Sequence, residues 1–410
     1  APQMAPVHFS LLEAALRGAG YKLRVLASTG PEDVETGLRH VNNDSCYPAI
    51  MVVGQLVEEF ASGRADPAAT SVMITQTGGM CRATNYTGLL RKALAEAGYP
   101  DVPVIAVSTQ GLEENPGFKL TPWLLHRCMQ AIALGDLLEA GLLRVRPYEA
   151  TPGLAMEAYR ELDAAARRFL GGRAPGYGAL VRRIVDAYNA VPGAGPAPER
   201  RPGVGIVGEI LVKFHPYANN HVVDVVEAEG FEARLPGLME FVLNGMHTAE
   251  WNLENLGLGG RTVWVKRLLR WWVDRYRGPV RRALAASRVD YPPPGDVARM
   301  AREAQAICSL GNQAGEGWLL TAEILELIES GVKSIICAQP FACLPNHVTG
   351  KGMFREIMRR HPDVNITTIE YDPGASPVNQ LNRIKLLLAA SRLAAAPQDE
   401  ENRPLVRQIA

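Results

Sequence analysis

The stretch SVMITQTGGMCRATNY, residues 71–86, contains the pattern that decides the fold. It begins with β-branched and apolar residues typical of a short strand, continues into Gly78 and Gly79, and places Cys81 directly before a helical segment. A strand that leads through glycines into a helix is the repeating unit of α/β proteins with parallel sheets. The stretch therefore predicts an α/β fold in which Cys81 follows the carboxyl end of a strand.

Helix and strand patterns alternate in the same way along most of the chain, which predicts mainly parallel sheets. Strands are predicted at 21–28, 71–75, 102–107, 204–210, 233–235, 334–337 and 365–371. Helices are predicted at 11–20, 50–62, 86–97, 121–141, 156–170, 177–190, 219–229, most of 238–288, 296–309, 318–330, 352–361 and 378–396. The Pro- and Gly-rich segment 192–203 is the clearest linker.

The linker and the positions of the cysteines predict four consecutive parts. They are an N-terminal α/β domain (1–150) with Cys46 and Cys81, a helical segment with the linker (151–202), a second α/β and helical domain (203–300), and a C-terminal α/β part (301–410) with Cys343.

Composition narrows the class of protein. The 410 residues carry a formal net charge of zero, which argues against nucleic-acid binding. No apolar run is long enough to cross a bilayer, and the first residues lack the features of a secretory signal. Six cysteines in such a chain favour a reducing cytoplasm over a disulfide scaffold, so we expect a cytoplasmic protein that does not bind membranes.

Three cysteines stand in loops that could meet in space. Cys46 lies among polar residues before a proline, Cys81 follows a predicted strand, and Cys343 follows another strand in a loop with proline on both sides. Because the carboxyl ends of parallel strands meet at one sheet edge, these thiols are candidates for a common site. Three thiolates can hold three irons of a cubane and leave the fourth iron open to a ligand.

Spacing alone leaves the alternative of ordinary buried cysteines open, because the sequence contains no CxxC pair. Cys128 lies on the apolar face of a predicted helix and Cys308 ends another, so both are expected to be structural. Cys337 lies within a predicted strand, close to the candidate site.

Seven motifs extend this interpretation: NNDSCYPAIMVVGQ (42–55), ITQTGGMCRATNY (74–86), NPGFKLT (115–121), VGIVGEILVKFHPYANNHVV (204–223), SLGNQAGEGWLLTAEI (309–324), QPFACLPNHVTGKG (339–352) and EYDPGASPVNQLNRIKLLL (370–388). They resemble the 2-hydroxyacyl-CoA dehydratase/benzoyl-CoA reductase superfamily, most closely the branch fused to or encoded beside an acyl-CoA dehydratase activase. The resemblance covers nearly the whole chain.

This resemblance implies Rossmann-like domains with an iron–sulfur cluster in the interdomain cleft. It implies that Cys46, Cys81 and Cys343 bind a [4Fe-4S] cluster, and that an ATP-hydrolysing activase with its own iron–sulfur cluster supplies low-potential electrons. The implied function is an anaerobic reductase or 2-hydroxyacyl-CoA dehydratase-like lyase, with a CoA thioester as a candidate ligand. Relatives also include double-cubane [8Fe-9S] proteins that reduce small molecules.

Other assignments remain open at this point. The chain could instead be a non-catalytic, electron-carrying cluster subunit. A dimer, or a complex with a related subunit, is expected, and two three-cysteine sites could meet across such a dimer.

Residues on both sides of Cys81 are candidate cofactor contacts. Gly78 and Gly79 allow close backbone approach and leave amides free to bond sulfide. Arg82 would raise the potential of an anionic cluster if its guanidinium lay beside it. The alternative for Arg82 is an arginine at a helix start, pointing into solvent.

Three titratable residues are candidate catalytic groups. Glu316, in NQAGEGW before a helix, is a proton donor or a helix-capping acid. His347 follows Cys343 closely and either shuttles protons or bonds loop backbone. Glu209 ends a predicted strand and is either catalytic or a buried capping acid.

Two nucleotide-binding motifs, GxGxxG and GxxxxGK[ST], are also considered. GVGIVG (203–208) matches GxGxxG, but its glycines lie within a predicted strand rather than after it, so a nicotinamide site is rejected. The sequence has no GxxxxGK[ST], so we expect ATP to be handled by another protein.

The basic segment 261–288 contains Trp264, Trp271 and Trp272 and is expected to be an amphipathic helix with its tryptophans in the core. A docking face for an acidic partner, or contacts to CoA phosphates, is the next interpretation.

Overall fold

The computed structural model describes residues 1–27, 30–77, 79–108, 113–115, 117–172, 176–195 and 200–395. Its strands are β1 (Val72–Thr75), β2 (Val104–Val107), β3 (Gly203–Gly208), β4 (Glu232–Arg234), β5 (Ser334–Pro340) and β6 (Asn365–Tyr371). Its α-helices are α1 (Pro6–Gly18), α2 (Pro31–His40), α3 (Tyr47–Ala61), α4 (Tyr86–Glu96), α5 (Pro122–Val145), α6 (Leu154–Leu170), α7 (Tyr177–Ala190), α8 (Ile210–Phe214), α9 (Val222–Ala228), α10 (Met239–Leu256), α11 (Gly260–Asp274), α12 (Arg277–Ala285), α13 (Val297–Gln305), α14 (Trp318–Glu329), α15 (Phe354–Arg360) and α16 (Pro377–Ala395).

The strands form two parallel sheets, which confirms the predicted α/β class. One has the order β4-β3-β5-β6, and the other pairs β1 with β2. All seven residues of β5 are buried, as expected for a central strand of a sheet covered on both faces. Helices α14 and α15 pack on one face of this sheet, and α3, α9 and α16 share a core with its other face.

The strand predicted at 21–28 is wrong for the residues that the structure describes, 21–27. This segment has no strand neighbour. Its backbone bonds instead to the start of the chain and to α1: Leu26 N donates to Ala1 O at 3.0 Å, and Val25 N donates to a Glu13 carboxylate oxygen at 3.4 Å. Val25 and Leu26 are buried all the same, so their apolar character reflects packing rather than sheet pairing.

A helical layer lies beside the sheets and is organised around α5, the longest of the described helices. Thr121 caps its start, since Thr121 Oγ1 accepts from Leu124 N at 3.2 Å, and Pro122 occupies the first turn, where its missing N–H is harmless. Helices α1, α6, α7 and α12 pack with α5 in one apolar core. Another core joins α5 to α10, α13 and α14, and so connects this layer to the sheet.

The predicted domain boundaries stay a prediction. One apolar core already contains residues from both the first predicted part and the last, such as Ile50 and Leu388. Positions 196–199 of the predicted linker, Gly78, and the tail from 396 lie outside the described residues. No helix among those described is both long and apolar enough to cross a membrane.

Candidate metal centre

The three candidate cysteines lie in three separate loops. Cys46 is the residue before α3, Cys81 follows β1 and precedes a short 3-10 turn, and Cys343 follows β5. Glu209 follows β3, the hydrogen-bonded neighbour of β5, so it emerges at the same edge as Cys343. Parallel strands impose this arrangement because their carboxyl ends all point the same way.

Glu209 acts electrostatically on all three thiols. Its negative charge contributes to the raised pKa of Cys46, of Cys81 and of Cys343. Cys46 and Cys81 also affect each other, since Cys46 contributes to the raised pKa of the Cys81 thiol. That these three cysteines share one site stays a prediction.

The loop before α14 closes against Cys81. At Gly315, φ is +57°, and a Cβ built there would lie 3.6 Å from Cys81 Sγ and 3.0 Å from the Pro345 ring. A side chain at this position would therefore crowd the cysteine and strain the backbone together. The backbone of the motif NQAGEGW therefore packs directly against Cys81.

Arg82 joins two of the cysteine loops. Its guanidinium Nη1 donates to Asp44 O at 3.0 Å, which ties the loop of Cys81 to the loop of Cys46. The side chain is exposed, yet its charge is near enough to lower the pKa of the Cys46 thiol. Gly79 is held in the same turn, because its carbonyl oxygen accepts from Thr84 Oγ1 at 2.7 Å.

Two of the sulfurs have hydrogen-bond partners that sequence reasoning missed. Cys46 Sγ lies 3.3 Å from Tyr86 Oη, and Asn346 Nδ2 donates to Cys343 Sγ at 3.3 Å. Both partners belong to the quoted motifs, but their side-chain directions become visible only in three dimensions. Asn346 also accepts from Cys337 Sγ at 3.8 Å, so Cys337 contacts the site through this amide.

The two acids of the site both cap α8. Glu209 accepts from Val212 N at 2.9 Å, and Glu316 accepts from Ile210 N at 3.2 Å. Both arrangements match the capping interpretation, although Glu316 caps α8 rather than the helix that follows it. Burial is the larger cause, and the negative charge of Glu316 the second, of a rise in the pKa of Glu209 to about 8. The pKa of Glu316 is also raised by burial. Proton donation by either acid stays a prediction.

His347 is held by its own loop and strand. Its Nδ1 lies 2.8 Å from Cys343 O and its Nε2 lies 2.9 Å from Gln339 Nε2. The carbonyl can only accept, so Nδ1 carries the proton and Nε2 accepts from the amide. This is the backbone-bonding arrangement considered above, and proton shuttling by His347 stays a prediction.

Burial keeps the three cysteines protonated when no metal competes for them. It is the largest cause of the raised pKa at Cys46 and Cys343, and it raises the pKa of Cys81 to about 12. Cys46 and Cys343 are each 6% exposed, whereas Cys81 is half-buried. A metal would have to displace these protons, so binding should strengthen as pH rises.

The three thiols do not form a site for a single metal ion. Within the described part of the chain, no three His, Cys, Asp or Glu side chains converge tightly enough to hold one metal ion. In a cluster, each thiolate binds a different iron, so the sulfurs need not converge on one point. Two of the three sulfurs have polar neighbours able to donate to a thiolate.

The remaining cysteines lie where the sequence placed them. Cys308 is buried in the core around α13 and α14, Cys128 packs against the same core, and Cys337 is fully buried in β5.

The tryptophans of α11 correct one prediction. Trp264 and Trp271 are 69% and 57% exposed rather than in the core, and of the three only Trp272 packs inward. The buried face of α11 is formed by smaller residues, Val263 and Val273. Arg267 lies over the Trp264 ring and Arg275 over the Trp271 ring, so the basic residues stack on the exposed tryptophans.

Comparison with known proteins adds no relative: no protein-family model matches this chain, and no curated protein matches it in sequence.

Proposed function

We propose that Cys46, Cys81 and Cys343 hold an iron–sulfur cluster, and that the chain is the reductase or dehydratase component of a 2-hydroxyacyl-CoA dehydratase-like system in an anaerobic cytoplasm. The observation that carries this proposal is that the three loops, distant in sequence, are joined by contacts. Arg82 Nη1 donates to Asp44 O, and Gly315 packs between Cys81 Sγ and Pro345. Chance burial of three cysteines would not require their loops to contact one another.

The chain's own residues would prepare this site in distinct ways. Tyr86 and Asn346 would donate to the Cys46 and Cys343 sulfurs and fix their positions. Glu209 and Glu316 would be the groups able to hold a proton beside a bound substrate, since the pKa of both is raised. A cluster bound here would supply single electrons and an open iron.

The rim of the site supports the proposal of a protein electron donor. Met80, next to Cys81, is 76% exposed, and Leu344, next to Cys343, is 61% exposed. Phe341 and Val348 are each 40% exposed in the same loop region. Apolar side chains around a charged cofactor are typical of a face that a partner covers. We assign this rim to the ATP-hydrolysing activase, whose own cluster must come close to transfer an electron.

A turnover assay tests this function. The anaerobically purified chain is mixed with a 2-hydroxyacyl-CoA substrate and a strong reductant, with and without an activase of the resembled family and ATP. We expect dehydration only when activase and ATP are both present, because adding an electron to a thioester lies beyond ordinary ferredoxin potentials. Equal turnover without them would contradict the proposed energy source.

The double-cubane alternative has one specific observation in its favour. Cys337 is a fourth thiol at the site, linked to Cys343 through the Asn346 side chain. Loss of part of the bound iron in Cys337→Ser would support an enlarged cluster, whereas full retention would leave the three-cysteine cubane as the proposal.

A further inference from the structure

The outer side of α11 exposes large apolar side chains in a continuous stripe. Trp264, Leu268 and Trp271 follow one another at intervals of four and three residues, so they lie along one line of the helix. Leu268 is 64% exposed, close to the exposure of the two tryptophans. Single exposed apolar residues are ordinary on a protein surface, whereas a stripe of three indicates a surface that another molecule covers.

The connection from α10 to α11 adds two exposed apolar residues at the start of the helix. Leu256, the last residue of α10, is 55% exposed, and Leu258 is 59% exposed. We call the surface formed by these two leucines and the stripe Trp264, Leu268 and Trp271 the α11 face.

The opposite side of α11 is fixed to the fold. Val263 and Val273 are buried. Glu250 of α10 accepts from Arg267 Nε at 3.2 Å and pairs with Arg270 Nη2 at 3.0 Å. The α11 face is therefore exposed on a helix whose position is set by packing and ion pairs.

The charge beside the α11 face is positive. Segment 261–288 contains nine Lys and Arg residues, and Asp274 is its only acid. Asp274 is already paired with Arg281 at 2.8 Å. Within the described part of the chain, Lys266 and Arg275 have no carboxylate at ion-pairing distance. Because these two cations lack an acid of their own, the surface that complements them is acidic.

The arginines also discriminate between kinds of occupant. Arg267 lies over the Trp264 ring and Arg275 over the Trp271 ring, with the guanidinium carbon 5.1 and 4.8 Å from the ring centroids. A bilayer would draw these charges towards hydrocarbon together with the rings, which is costly. A second copy docked about a two-fold axis would set one basic surface against another. Neighbouring Trp and Arg are instead typical of the residues that contribute most to binding another protein.

The α11 face is joined to the cysteine site through α10. Gln313 Nε2 donates to Asn252 Oδ1 at 2.8 Å, one turn before α10 ends at Leu256. Gln313 belongs to the loop in which Gly315 packs against Cys81. One loop therefore contacts both the cysteine site and the helix that leads to the α11 face.

We propose that the α11 face binds an acidic protein, and that this partner is the electron donor of the cysteine site. Its acidic groups pair with Lys266 and Arg275, and its apolar side chains pack between the two tryptophans. Each encounter passes one electron, which oxidises the partner and reduces the site, and no bond is made or broken. This inference rests on the proposed function, because only a redox site requires a donor beside it.

Affinity measurements test the charged part of this surface. The probe is an activase of the resembled family, and the readout is its dissociation constant for the anaerobic chain at low salt. Lys266→Glu should weaken binding on the order of tenfold, because it replaces attraction with repulsion. The matched control is Lys333→Glu, which reverses a 66% exposed charge directly before β5, whereas Cys343 follows that strand. This control should bind as wild type does.

Leu268→Ser tests the apolar part and should weaken binding several-fold. Its control is Leu393→Ser on α16, which removes a 75% exposed leucine and should have no effect. Circular dichroism should show an unchanged fold in these variants, because none of the altered side chains is buried. Wild-type affinity in both Lys266→Glu and Leu268→Ser would overturn the proposal, and so would an activase that does not bind the wild type.

Two further measurements address the other occupants. Sedimentation would overturn the proposal if Leu268→Ser converted a wild-type dimer into a monomer. Flotation would overturn it if the wild type, but not Leu268→Ser, bound vesicles of phosphatidylcholine and phosphatidylglycerol.

Electron transfer separates this docking surface from the proposed function. Lys266→Glu should keep its iron and accept electrons from a strong chemical reductant at the wild-type rate. It should accept electrons from activase and ATP several-fold more slowly, and an unchanged rate would contradict docking at α11. Absence of iron in the wild type would instead refute the proposed function, whereas binding through the α11 face is decided by the affinities alone.

Discussion

At the scale of single residues, the hydrogen bonds to sulfur are the features that would act most directly on the proposed cluster. Tyr86 Oη lies 3.3 Å from Cys46 Sγ in a buried setting. A donor at a ligand sulfur stabilises the extra negative charge of a reduced cluster. Tyr86→Phe should therefore lower the reduction potential. A hydrogen bond worth ~1 kcal/mol corresponds to a shift on the order of 40 mV for one electron.

The measurement is a redox titration followed by electron paramagnetic resonance. Tyr99→Phe is the matched control, because Tyr99 packs on Phe60 in the same core and follows the end of α4, whereas Tyr86 begins that helix. A potential that does not change in Tyr86→Phe would show that this hydroxyl does not act on a cluster ligand.

Some residues of the candidate site could be predicted from the sequence, and others could not. Cys46, Cys81 and Cys343 could be selected because loop position and strand ends are visible in a sequence. The donors Tyr86 and Asn346 could not, because nothing in the pattern says which side chain turns towards a sulfur. The same limit applies to Glu316, which caps a helix from another part of the chain.

At the scale of elements, the close contact of α2 with α3 positions the Cys46 loop. A Cβ at Gly54 would lie 1.8 Å from Asp33 O, so the two helices touch through backbone. Gly54→Ala should force them apart and cost about 1–3 kcal/mol of unfolding free energy. Because Cys46 directly precedes α3, the same change should weaken iron binding.

Urea denaturation of the variant checks the first effect, and iron content checks the second. Gly88→Ala in α4 is the control, since nothing lies within 4 Å of the added Cβ, and it should be neutral or slightly stabilising. Wild-type stability in Gly54→Ala would mean that the helices tolerate separation.

Element-scale prediction succeeded where periodicity and sheet position agreed. β3, β5 and β6 were found because each is an apolar run with a helix after it. The segment 21–27 and the tryptophans of α11 were misjudged for a shared reason. In both cases, apolar residues were interpreted as part of a strand or of the core. The backbone of 21–27 instead bonds to the chain start and to α1, and the exposed tryptophans stack under arginines.

At the scale of the whole molecule, contacts join loops from the first and last thirds of the chain. Alternating helices and strands made the parallel α/β class predictable, and the rule for strand ends placed Glu209 and Cys343 at the same edge of one sheet. The helical layer was less visible in advance. The buried acids of α10 and α14 read as ordinary surface charges in a sequence, and only packing shows that they lie inside.

The central claim is that three loops hold one iron–sulfur cluster, and anaerobic reconstitution followed by iron and sulfide analysis tests it most directly. The wild-type chain and Cys128→Ala should each bind about four irons with matching sulfide, the content of a cubane. Cys46→Ala, Cys81→Ala and Cys343→Ala should each lose most of both. Full iron and sulfide retention in Cys81→Ala, or none in the wild type, would contradict the account.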